Sequence, residues 1–132
     1  MLVDSGRSDL LSVIVGLLGV DTYYMGLYSN NHTMFEADTY AVLTEVAVAG
    51  YSRQLLASPG APTGPIGGVW DSIFANVTFG NSSGAAQTVY GYFFIGVSRG
   101  IFYGGDLFAG GPLSIPAGGS LIFSPSWNDT TN

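Results

Sequence analysis

The stretch Thr88-Val89-Tyr90-Gly91-Tyr92-Phe93-Phe94-Ile95-Gly96-Val97, with the run 101–108 that follows it, decides the fold. Both runs are rich in β-branched and aromatic residues, the composition of strands, and Arg99-Gly100 between them is turn chemistry. The spacing therefore predicts two strands, 88–97 and 101–108. Val89, Phe93, Ile95 and Val97 fall on alternate positions and predict a core-facing row, while Tyr90, Tyr92 and Phe94 take the opposite side. Rings on both sides imply that a helix or another subunit covers the second face.

The same pattern extends outward. Residues 22–28, 41–47, 51–56, 72–79, 113–115 and 120–123 read as further strands, and Val77 and Phe79 join the core-facing set. Turn chemistry separates them at Ser29-Asn30-Asn31, Ala49-Gly50, Gly67-Gly68, Gly80-Asn81, Gly110-Gly111-Pro112 and Ala117-Gly118-Gly119. Short strands at this spacing predict a sandwich, a jelly roll or a small barrel. One helix precedes them. Leu10, Leu11, Val13, Ile14, Leu17 and Leu18 recur at helical spacing over residues 8–18, with Ser8 as N-cap and Gly19 as stop. Gly16 interrupts that broad apolar stripe, so the helix needs a docking partner, either its own sheet or a neighbouring subunit.

Two segments fall outside the strand pattern. Residues 57–68 contain Pro59, Pro62 and Pro65 with several glycines and predict an exposed loop or arm. Residues 124–132 are polar and predict a fraying tail, unless Trp127 is tucked into a neighbour.

Composition narrows the function. The chain has 132 residues, enough for one domain, and 47% are hydrophobic against 9% charged, where an average soluble domain carries roughly 25% charged. So few charges leave uncharged, partly apolar surface, which marks protein contact. The net charge is -6, and its positive side is three arginines with no lysine, so phosphate neutralisation and nucleic-acid binding are not expected. The absence of cysteine removes disulfides, thiolate catalysis and cysteine-type metal sites together. Residues 10–20 make an apolar run about half the length a membrane-spanning helix needs, and Asp4 and Asp9 stand where a secretion signal would be positive, so neither is read here. The triplets beginning at Asn31, Asn76, Asn81 and Asn128 match glycosylation acceptors and are read as turn residues.

Chemistry-bearing groups are sparse: one histidine and nine carboxylates. His32 lies in a turn-like stretch with no nucleophile motif beside it. Glu36, Asp38, Glu45, Asp71 and Asp106 offer carboxylates, but spacing selects no glycosidase pair, and Glu36 with Asp38 lacks the rest of a calcium loop. The glycine-rich stretches lack the strand-to-helix setting of a phosphate cradle. No catalytic residue, cofactor or metal is therefore assigned. In Tyr51-Ser52-Arg53-Gln54, alternation places Tyr51 and Arg53 on one face. Arg53, in so charge-poor a chain, is expected to pair with Glu45 or another carboxylate across strands, to lie along an aromatic ring, or to reach a partner.

Taken in order, the landmarks are an apolar helix ending at Gly19, Gly26-Leu27-Tyr28, Thr44-Glu45-Val46, Gly50-Tyr51-Ser52-Arg53-Gln54, Ala75-Asn76-Val77-Thr78-Phe79, Val89-Tyr90-Gly91-Tyr92-Phe93, Gly105-Asp106-Leu107 and Ala117-Gly118-Gly119-Ser120-Leu121. That order, over nearly the whole chain, resembles a broad family of small tailed-phage virion proteins, variously tail-fibre-like, head-fibre or capsid decoration proteins. The resemblance implies a mainly β fold, an antiparallel β-sandwich or jelly-roll-like module with one short N-terminal helix. It also implies a non-enzymatic place on the outside of the particle. The stretch 57–68 is longer than the family's usual connection, and the tail after Phe123 runs past its typical end.

The expectation is a capsid cement or decoration protein that bridges major capsid subunits and self-associates as a homotrimer or homodimer, with no nucleic-acid or membrane partner. The alternatives are a tail or head fibre component contacting the host surface, with tyrosines and Trp70 stacking on sugars, and a small hydrolase of the host envelope. Candidate structural or interface residues are Leu10, Leu11, Ile14, Leu17 and Leu18 on the helix, Tyr51, Arg53 and Gln54, Pro62 and Pro65, Trp70, and Trp127.

Overall fold

The computed structural model describes residues 1–14, 21–57, 63–66 and 69–130. Among them the chain is mainly β, with one short N-terminal helix and several antiparallel sheets in a β-sandwich-like fold. In chain order the elements are α1 (Asp4–Ile14), β1 (Tyr23–Tyr28), a 3-10 turn (Tyr40–Val42), β2 (Gln54–Leu56), β3 (Thr63–Ile66), β4 (Val69–Ile73) and β5 (Val77–Asn81). They continue with β6 (Gln87–Val89), β7 (Gly91–Gly96), β8 (Phe102–Leu107), β9 (Leu113–Ile115), β10 (Gly119–Phe123) and β11 (Ser126–Thr130). No helix among the described residues is long and apolar enough to cross a membrane.

The central sheet runs β2-β1-β7-β8, and β10-β5, β6-β9 and β11-β4-β3 form the others. Both faces of the central sheet are buried by the chain itself. On one face Met25, Leu27 and Leu56 pack with Val77, Phe79, Val89 and Ile115 from the smaller sheets, and Tyr92 and Phe94 lean on that core. On the other face Tyr28, Phe93 and Phe102 pack with Val3, Met34 and Leu43 from the N-terminal residues and the long β1–β2 connection. The cover for the second face is thus a pair of non-strand segments of the same chain.

That arrangement corrects the predicted single row. Val89 belongs to the first core and Phe93 to the second, although both are odd-numbered. The run breaks at Tyr90: β6 ends at Val89 in the pair with β9, and β7 starts at Gly91 in the pair with β1. Leaving one sheet for another resets the alternation, so parity cannot be carried across the break. The predicted strand 72–79 is likewise two strands, interrupted where the Phe74 amide donates to the Pro125 carbonyl at 2.9 Å.

The helix also differs from its prediction. It starts at Asp4 rather than at Ser8, because the Arg7 amide already reaches the Val3 carbonyl at 3.0 Å. Asp4, in the first turn, suits the positive end of the helix dipole. The face turned to β8 is Gly6 and Asp9, both buried, while Leu10 is half-buried and Leu11 is 61% exposed. Of the predicted apolar stripe, Leu10 and Leu11 do not dock this helix, and the side chains of Val13, Ile14, Leu17 and Leu18 lie outside the described residues. Gly6 lies so close to Tyr103 that a Cβ there would stand 2.7 Å from the Tyr103 Cα. Ahead of the helix, Leu2 bridges Gly104, and the Val3 amide donates to the Tyr103 carbonyl at 2.9 Å, which lays the first residues along the β8 edge.

Three further predictions are revised. Residues 41–47 do not form a strand. The 3-10 turn occupies their start, and an isolated bridge from Glu45 to Tyr28 is what remains of the pairing. The stretch 57–68 contains β3, so it is more than a loop; β3 sits at a sheet edge, the place where Pro65 with no N–H is tolerated. The polar tail forms β11, paired with β4 from Ser126 opposite Ile73 to Thr130 opposite Val69. Among the predicted turn positions, Gly50, Gly100, Gly111 and Gly118 have positive φ, the conformation that makes glycine the residue of choice there.

Candidate functional site

Arg53 sits just before β2 and closes on Glu45 with both arms of its guanidinium, Nε to Oε1 at 2.9 Å and Nη2 to Oε2 at 2.7 Å. Two phenols complete the cluster. Tyr40 donates to Glu45 Oε2 and accepts from Arg53 Nη2 at 3.0 Å, and Tyr51 donates to Glu45 Oε1 at 3.1 Å. The Tyr51 oxygen also accepts from the Leu27 amide at 2.9 Å, which ties the cluster to β1. The guanidinium lies 5.2 Å from the Tyr40 ring centroid and 5.5 Å from that of Phe93, within cation–π range. Burial alone raises the Glu45 pKa, but the bonds from Arg53 and Tyr40 outweigh it and hold the carboxyl below its ordinary value. Arg53 is pushed up by the Glu45 hydrogen bonds, so the pair stays ionised. The predicted pairing with Glu45 and the predicted contact with a ring occur together. Gln54, the next residue, turns to Ser52, its Nε2 donating to the Ser52 carbonyl at 2.9 Å.

A second cluster was not singled out from the sequence. Arg99, in the β7–β8 turn, reaches Asp9 of α1 through Nε at 2.8 Å and Nη2 at 2.6 Å, and Tyr103 donates to the same carboxylate. Asp9 is 7% exposed, and its carboxyl is held below the usual range chiefly by the Arg99 hydrogen bonds. Asp21 accepts from the amides of Thr22, Ser98 and Arg99 at 2.8, 3.1 and 3.3 Å and so fixes the same turn. Its burial raises the pKa, and those three amides bring it below the ordinary value. Arg99, like Arg53, is an arginine in a charge-poor chain and has its carboxylate partner.

The remaining carboxylates with described side chains are dispersed. His32 Nε2 lies 2.7 Å from Asp38 Oδ2, which also accepts from the Phe35 amide at 2.8 Å. Glu36 pairs with Arg7 at 2.9 Å on the surface, and Asp106 lies 3.7 Å from the terminal amine. Glu36 and Asp38, the incomplete calcium pair of the sequence, therefore serve different partners. No group of three or more metal-ligating side chains gathers among the described residues.

One concave feature among the described residues is a cavity of about 300 Å³ lined by Met25, Tyr92, Phe94, Phe108, Phe123, Ser124, Pro125 and Ser126. Its wall is a rack of rings. Phe108 and Phe123 stack with centroids 5.5 Å apart and planes 5° from parallel, and Tyr92 meets Phe94 edge-on at 5.5 Å. The mouth is polar: Ser124 and Ser126 are exposed, and Ser124 Oγ donates to Asn76 Oδ1 at 2.7 Å. None of the lining residues is charged. Tyr92 and Phe94 were read from the sequence as the second face of a strand. Met25, Phe108 and Phe123 were not connected with them, because β1, the β8–β9 turn and β10 meet only in the fold.

The other candidate residues scatter. Ile14 ends α1, Pro65 lies on β3, Trp70 on β4 opposite Asp129, and Trp127 on β11 opposite Ser72. Leu17, Leu18 and Pro62 lie outside the described residues. Tyr51 and Arg53 are the candidates that the fold brings together, in the cluster built on Glu45. Compared with models of protein families and with curated proteins, the chain matches none.

Proposed function

We propose that the chain is a structural protein of a tailed-phage particle, most specifically a capsid cement or decoration subunit that bridges major capsid subunits on the outer surface of the head. It works without chemistry, as a homotrimer or homodimer. The observation that carries this reading is that each arginine is neutralised within the chain while large apolar side chains turn outward. Arg7, Arg53 and Arg99 are each held by a carboxylate of the same chain. Leu11, Phe35, Leu55, Ile73 and Ile122 are exposed by 61, 61, 51, 56 and 65%.

Such a surface suits coverage by other proteins rather than attraction of phosphate. An interface of roughly 1,600 Å² is of ordinary specific size, and repetition over a particle multiplies its effect. Closed oligomers match the local symmetry axes of a shell. The resemblance of the landmark order to small virion proteins supports the same reading. The test is to add the purified protein to empty capsids of the phage that encodes it. Binding and a raised capsid melting temperature are the expected results; absence of both sinks the reading.

A further inference from the structure

We propose that the ring-walled cavity is a binding site for one neutral pyranose unit of a glycan. This goes beyond the covering role and does not depend on it. The cavity has two unlike sides. Phe94, Phe108 and Phe123 supply apolar faces and edges, and Ser124 and Ser126 stand at the mouth, with the Ser124 hydroxyl held by Asn76 Oδ1. A sugar ring has the same division, C–H groups on its faces and hydroxyls around its rim. A purely hydrocarbon guest would use the wall alone and gain nothing from the serine hydroxyls at the mouth, which a sugar hydroxyl can reach.

Charge narrows the class further. The lining carries no ionised group, and the chain has a net charge of -6 with its arginines engaged internally. Sialic or uronic acids would therefore meet repulsion and find no cation to pair with. A volume of about 300 Å³ stands at the small end of ligand sites, which suits a single ring rather than a chain of them.

The test is a titration of the full-length protein with methyl glycosides of glucose, galactose, mannose and N-acetylglucosamine, read by NMR shifts of the aromatic and Ser124–Ser126 signals. Glucuronic acid and cyclohexanol serve as the charged and hydrocarbon comparators. Expected is saturable millimolar binding of at least one neutral glycoside, no binding of glucuronic acid, and weaker binding of cyclohexanol. Phe108→Ala should weaken the glycoside by about tenfold. Because that variant removes packing, Ser124→Leu and Asn76→Ala are the companion variants: both alter the mouth at exposed positions and should weaken the glycoside while sparing cyclohexanol. The proposal is overturned if no neutral glycoside saturates, if cyclohexanol binds as well or better, or if both mouth variants bind the glycoside like the parent. Capsid binding is a separate assay, so failure here leaves the covering role standing, and the reverse.

Discussion

The Phe93 ring lies directly over Gly26, its partner across the β1–β7 pair: a Cβ on Gly26 would fall 2.2 Å from the Phe93 Cζ. The glycine is what lets a ring at the centre of the sheet lie flat on the neighbouring strand, buried against Tyr28, Val3 and Met34. Tyr40 then meets Phe93 at 5.4 Å and Arg53 stands over both rings, so this one contact supports the Arg53–Glu45 cluster as well.

Replacing Gly26 by alanine therefore overpacks the core, and a loss of about 1–3 kcal/mol is expected in urea unfolding. Gly84→Ala, where a Cβ meets nothing within 4 Å, is the control and should change little. In the double variant Gly26→Ala with Phe93→Leu, the two losses should sum to more than the measured total, since the smaller side chain relieves the clash. Simple additivity would mean that the contact is not the cause.

Arg53→Met should cost roughly 2–4 kcal/mol, below a fully buried pair because Arg53 and Glu45 keep 32 and 20% exposure. The loss comes from leaving the Glu45 carboxylate among phenols with no cation. Adding Glu45→Gln to Arg53→Met should recover part of it. If the double variant is less stable than Arg53→Met alone, the cluster is not governed by charge pairing.

Asp9 and Glu45 set the acid limit. Their ordinary values are 3.8 and 4.5, and both are held lower in the folded chain. Their contribution is therefore complete above those ordinary values and is lost as pH falls below them toward the folded ones. The melting temperature should be nearly level from about pH 7 to about pH 5 and fall below about pH 4. Asp9→Asn should start lower and lose less across the acid range. At the alkaline end the Tyr28 phenol, pushed by burial from 10.0 up to about 12, favours the folded chain until pH rises through that interval. Stability should then decline above about pH 10.

Asn81, 2% exposed, closes the turn after β5 from both ends of its amide. Its Nδ2 donates to the carbonyls of Ala85 at 2.8 Å and Ile115 at 3.1 Å, and its Oδ1 accepts from the Ser83 amide at 3.0 Å and hydroxyl at 2.6 Å. Asn81→Ala should cost roughly 2–3 kcal/mol. Asn81→Asp should cost no less, because a carboxylate cannot donate to the two carbonyls. Equal stability of both variants with the parent, by thermal unfolding, would contradict this account of the turn.

The strands with local signatures were legible in the sequence. Residues 22–28, 101–108, 113–115 and 120–123 were placed within a residue or two, since β-branched and aromatic runs bounded by Gly turns are local signals. What was not legible depended on partners far away in the chain. Tyr90 gives no sign that the chain changes sheets there, and the polar stretch from Ser126 becomes a strand only because β4 offers it an open edge. Residues 41–47 have strand composition, yet Tyr40 and Glu45 are claimed by Arg53, and the backbone turns to deliver them. Arg53 with Glu45 was readable because a rare charge in an uncharged chain needs a partner. The cavity was not, because its lining comes from β1, β7, the β8–β9 turn and the stretch from β10 to β11.

The central claim, that outward apolar surface on this small β module is covered by other chains of a particle, is tested most directly by counting. On the proposed virion reading, purified particles would be dissolved and the copies of the chain per particle measured by quantitative mass spectrometry against the major capsid protein. A cement subunit predicts on the order of hundreds of copies, in a simple ratio to the capsid protein. Particles that lack the chain, while it persists in the infected-cell lysate as a free monomer, would contradict the account.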